Sequence, residues 1–107
     1  MNIEFINRVE LQGIIGSVRQ YTIGTQKGFQ LTVATNRVYR DKDGNPVIET
    51  QWTSCTGWES ENIDLSLLEK GRGIHLIGRI RNQRYTGTDG VERTTMEVVV
   101  SSLEAVS

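Results

Sequence analysis

Apolar and polar residues alternate along most of this chain, and the alternation predicts strands. Val9, Leu11 and Ile15 share one face with Gly13, whereas Glu10 and Gln12 point the other way, so residues 7–16 read as a half-buried strand. Phe29, Leu31 and Val33 repeat the pattern against Gln30 and Thr32. A turn at Asp41-Lys42-Asp43-Gly44-Asn45-Pro46 follows, then a third strand through Trp52 to Trp58. The period changes after Glu59. Ile63, Leu67 and Leu68 fall at helical spacing, with Glu59 and Glu61 at the start, Lys70 at the end and Gly71 just beyond it. One short helix is predicted there. Strand character returns from Ile74 to Arg81, Thr86-Gly87-Thr88-Asp89-Gly90 reads as a hairpin turn, and Thr94 to Val100 is a final β-branched strand.

A helix between the third and fourth of five strands is the layout of an OB fold, an all-β, five-stranded Greek-key barrel. Closing the sheet removes the edges that a β-rich chain of this size would otherwise expose. With 107 residues, 36% of them apolar, the chain suits one domain over residues 1–107 with one modest core. Oligomerisation is a common source of extra burial at this size. No run approaches the ~20 apolar residues of a membrane span, and the first residues lack the basic region of a signal peptide. Cys55 is the only cysteine and can form no intrachain disulfide or cysteine-based metal site. The expectation is a cytoplasmic protein with no membrane partner.

Trp52 and Trp58 change the picture. Their even spacing puts both rings on one face of the third strand, with Ser54 and Thr56, while Thr53, Cys55 and Gly57 take the other. Parity alone leaves two readings open, a pair of core residues or an exposed stacking platform. The fourth strand bears on the choice. Ile74, Leu76, Gly78 and Ile80 share one face, and His75, Ile77, Arg79, Arg81, Gln83 and Tyr85 the other. Two arginines do not enter a small core unpaired, so that face is outward. Rings beside guanidinium groups suit single-stranded nucleic acid, because bases stack on rings and cations follow phosphates. The net charge of −1 conceals this basic stretch, Arg79, Arg81 and Arg84, which has no acid within it. Strict alternation turns Tyr39 inward, and a bulge would re-aim it. Arg40 and Lys42 beside it are phosphate contacts or members of a solvated turn.

Catalysis finds little support. Cys55 reads as a small buried residue and His75 as a structural or interface histidine. No third group accompanies them as a nucleophilic dyad would require. Gly71-Arg72-Gly73 is a turn rather than a phosphate cradle. No enzymatic activity, metal or cofactor is expected.

The chain resembles the bacterial single-stranded DNA-binding proteins. Asn7 to Gly16 looks like their first strand. Leu31 to Thr35 with Tyr39-Arg40-Asp41-Lys42 looks like the second strand and its exit, and Thr50-Gln51-Trp52 like the start of the third. Leu68 to Gly71 with Ile74 to Arg81, and Thr94 to Val100, resemble the helix end and the last two strands. The likeness covers about residues 5–104. It implies an OB fold, assembled as a homotetramer, that coats single-stranded DNA in replication, recombination or repair, near the nucleoid. It implies stacking by Tyr39, Trp52, Trp58 and Tyr85, and phosphate contacts by cations near Lys42, Lys70, Arg81 and Arg84. Arg40 and Arg79 complete the candidate set. Ser54, Ser60 and Gln83 stand where the family often has basic residues. Family members usually continue into a flexible linker and an acidic tip that recruits replication and repair enzymes, and the sequence to Ser107 carries no such tip. Two other readings stay open: a restart-type primosomal adaptor, a short dimeric OB protein, and a module whose Trp face contacts a protein or oligosaccharide.

Overall fold

One parity of every strand feeds a common core. The computed structural model describes residues 2–106. Its strands are β1 (Val9–Ile23), β2 (Gln26–Arg40), β3 (Pro46–Trp58), β4 (Gly73–Thr86) and β5 (Glu92–Ala105). They close into a barrel in the order β1-β2-β3-β5-β4, with β1 paired to β4 from Val9↔Gly78 to Ile14↔Gly73. All pairings are antiparallel except β3 with β5, a parallel seam of two rungs, Cys55↔Val98 and Thr56↔Val99. This is the OB barrel that the element order predicts.

Ile15, Phe29, Val33, Ile74 and Leu76 are essentially sealed inside. Each contributes about 1.5–3 kcal/mol by leaving water. β1 serves two neighbours by bending. Its register with β2 slips between Ile15 and Ser17, and the bulge at Gly16 lets the strand turn from β4 toward β2.

The strands run longer than the pattern predicts, and the predicted helix is the one element that differs in kind. The chain between β3 and β4 makes only a 3-10 turn, Leu65–Leu67. Short polar side chains explain why, since they bond the local backbone in competition with a helix. Ser60 Oγ accepts from the Asn62 N–H at 3.2 Å. Asp64 Oδ1 accepts from the Ser66 N–H at 2.9 Å and the Ser66 hydroxyl at 2.7 Å, and these bonds hold the Asp64 carboxyl below its ordinary pKa. Ile63 and Leu68 are nevertheless buried and join the core. Gly71 has φ +89°, the left-handed conformation expected for a residue that ends a turn.

Two hairpins outrun the barrel. β2 and β3 stay paired to Arg40↔Pro46, and β4 and β5 to Thr86↔Glu92. Most residues of these arms are exposed. The radius of gyration, 16.6 Å, accordingly exceeds the about 13 Å of a compact 100-residue domain. Among the described residues no helix is long and apolar enough to cross a membrane.

Candidate nucleic-acid interface

The outer face of β1, β2 and β3 is ordered by its register. Trp52 lies beside Ala34 and Ile14 at one end, and Trp58 beside Gly28 and Tyr21 at the other. Between them come the polar rungs Ser17–Thr32–Ser54 and Arg19–Gln30–Thr56. Both indoles face outward, 57% and 42% exposed. The interior decides this: the Phe29 ring fills the space beneath Gly57, so β3 turns its small side chains inward. Six residues of strand separate the two rings by about 20 Å.

Each indole has a seat. A Cβ on Gly16 would overlap the Trp52 ring, so the ring lies against the bulge of β1. Tyr21 lies over Gly28 in the same way. It meets Trp58 edge-to-face, with ring centroids 5.8 Å apart and planes at 81°. Tyr21 and Arg19 thus belong to the same outer face as the indoles, which the sequence pattern does not predict. Strict alternation from Ile15 turns both inward; the register slip at Gly16 reverses the parity and puts them on the outer face.

Tyr39 keeps the inward parity of Val33, and no bulge interrupts β2 between Gly28 and Arg40. It is exposed because the barrel ends before it, so the re-aiming bulge is unnecessary. The Arg37 guanidinium lies 5.2 Å from its ring centroid. Arg40 turns back to donate to the Gly44 carbonyl at 2.8 Å, while Lys42 is exposed at the tip of the arm with no ion pair among the described residues.

The other arm carries Arg79, Arg81, Arg84 and the exposed Tyr85. The sequence around the arginines lacks acids, but the register supplies them. Glu97 of β5 stands opposite Arg81 and accepts from its Nε at 3.1 Å and from its Nη2. Arg84 lies 3.6 Å from Glu92. Arg79 is exposed and has no ion pair among the described residues. Lys70 is exposed on the loop that bonds β1 through Gly71 N–H to Ile15 O at 2.8 Å, at the Trp52 end of the face.

A cavity of about 380 Å³ opens on the rungs between the indoles, with Ser17, Thr32 and Ser54 on one side and Met96 and Glu97 of β5 on the other. Cys55 contributes to its lining. Burial pushes that thiol up to about 12, and the charge of Glu97 adds to the shift. At neutral pH it is protonated and no nucleophile. His75 is held by Glu10 at 2.8 Å on the β1–β4 face. Among the described residues no three His, Cys, Asp or Glu side chains gather as a metal site would require.

The chain is similar in sequence and in fold to known proteins. A protein of Neisseria meningitidis serogroup A named single-stranded DNA-binding protein is 32% identical over 103 residues, covering 92% of this chain and 59% of the relative. One of the same name from Xylella fastidiosa (strain Temecula1) is 33% identical over 102 residues, covering 92% and 62%. The chain thus spans about three fifths of the length of these relatives. In fold it is similar to a Plasmodium falciparum SSB solved in complex with ssDNA, with TM-score 0.84, 23% identity and full coverage of both chains. It is also similar to a deletion mutant of the Thermus aquaticus single-stranded DNA binding protein, with TM-score 0.75, 21% identity and coverage of 95% and 51%. Residues 6–106 match the profile of the Single-strand binding protein family, and the chain belongs to that family.

Proposed function

We propose that this chain binds single-stranded DNA without strong sequence preference and serves replication, recombination or repair where that DNA is exposed, in the cytoplasm at the nucleoid. The observation that carries the reading is the pair of outward indoles on one polar-floored face. Bases stack on Trp52 and Trp58, each worth about 1–3 kcal/mol, and on Tyr85 along one arm and Tyr39 on the opposite parity of the other. Lys42, Lys70 and Arg79 follow the phosphates first, because Arg40, Arg81 and Arg84 already hold intramolecular partners. The protein acts by binding and not by catalysis. It assembles as a homo-oligomer, a tetramer in the coating role, in which the exposed Phe5, Ile6 and Ile14 leave water.

Titration with poly-dT at two salt concentrations, on material of known native mass, tests this. Tryptophan emission should quench, and log affinity should fall with log salt by about 0.7 per phosphate neutralised. No quenching at low salt would overturn the proposal. One observation favours a second reading, an adaptor that contacts a protein. Val38 and Ile48 stand opposite each other on the β2–β3 arm, 67% and 69% exposed. A stable dimer whose partner binding is lost in Val38→Ser would support it.

A further inference from the structure

The cavity between the indoles is walled by a carboxylate, which is an odd wall for a site that meets a polyanion. Glu97 is mostly covered, its side chain 13% exposed. Its Oε1 is engaged by Arg81. Its Oε2 has no hydrogen-bond partner among the described residues, yet it is not sealed from solvent, since no buried side-chain oxygen there lacks a partner. Arg81 therefore fixes the carboxylate and leaves one acceptor without a partner on a residue that lines the cavity. Across from it stand Ser54 and the Ser17–Thr32 hydroxyl pair, 2.8 Å apart. Met96, 61% exposed, supplies a polarizable apolar side to the same cavity.

We propose that this cavity is a nucleobase subsite in which Glu97 Oε2 accepts from an exocyclic amino group, so that cytosine, adenine or guanine seats there better than thymine or uracil. A strand stacked on both indoles must cross the about 20 Å between them. Nucleotides of one strand in a stacked helix rise only ~3.4 Å each along the axis, so more than one nucleotide intervenes. A base there has no indole beneath it and lies over the cavity instead. The volume, about 380 Å³, falls within the about 300–1,000 Å³ of ordinary small-molecule sites. The carboxylate repels phosphate and selects a donor edge, the pairing by which Glu reads cytosine N4. This is a bias at one position, laid over binding that is otherwise indifferent to sequence, and it rests on the single-strand reading above.

The test compares oligodeoxycytidylate with oligodeoxyuridylate of equal length at neutral pH, which isolates the amino group from the thymine methyl. Wild-type protein should favour the cytosine oligomer by about three- to ten-fold more than Glu97→Ala does, the worth of one net hydrogen bond. A second measurement needs no variant. An oligomer carrying N4,N4-dimethylcytosine, which lacks the N–H donor, should lose the same factor on wild-type protein. Equal ratios for wild type and Glu97→Ala, with the dimethyl oligomer bound as tightly as cytosine, would overturn the subsite. So would a variant that tightens on both oligomers alike, since Glu97 would then merely shield Arg81. Failure of wild-type protein to bind any of the oligomers would instead bring down the single-strand reading itself.

Discussion

A glycine decides where the first indole lies. Gly16 leaves room for the Trp52 ring, and a methyl group there would overlap it. Gly16→Ala should therefore lift the ring from its seat, shift tryptophan emission in the free protein and weaken single-strand binding by up to the value of one stacked base, about 1–3 kcal/mol. Circular dichroism should remain that of the folded barrel. Unchanged affinity in that variant would mean that the seat does not matter. The sequence showed that Trp52 and Trp58 share a face, because strand parity is a property of the chain alone. Which face points inward depends on what fills the core, here the Phe29 ring under Gly57. Tyr21 was not legible for a different reason: alternation from Ile15 turns it inward, and the bulge at Gly16 reverses that parity.

At the scale of elements, the segment between β3 and β4 is the instructive one. Its apolar residues, Ile63, Leu67 and Leu68, have helical spacing, but they serve as a plug carried by a looped chain. Ser60, Asp64 and Ser66 bind their own backbone or one another and stop helix propagation. Burial rather than helicity is thus what the segment contributes. Leu68→Ala should cost about 2–5 kcal/mol by urea denaturation, whereas Ser66→Ala on the exposed side should cost far less. If the two variants were equally stable, the plug would be dispensable. The hairpin turns were legible from Gly44 and Gly90 chemistry, but the reach of the arms was not. Nor was the Arg81–Glu97 pair, whose members are joined only through the β4–β5 register.

For the whole molecule, the barrel ties its stability to alkaline pH through one buried thiol. Cys55 titrates near 12 when folded against an ordinary value of 9.0. Above about pH 9 the unfolded chain releases that proton and the folded chain keeps it, so the unfolded state binds fewer protons and stability falls as pH rises. The loss should run between pH about 9 and about 12 and be absent below it. Other groups titrate there too, so the measurement is the pH slope of the urea midpoint in wild type against Cys55→Ala, which should be the flatter of the two. Parallel slopes would contradict the assignment.

The closing seam of the barrel has a mechanical consequence. β3 and β5 share a ladder only at Cys55–Val98 and Thr56–Val99. Ser54 and Glu97, each one residue before the first rung, line the cavity where the two strands have already parted. The gap is a zip left partly undone: below the two rungs no ladder bond among the described residues ties the β5 wall of the cavity to its β3 wall, and Glu97 is held there from the other side, by Arg81 of β4.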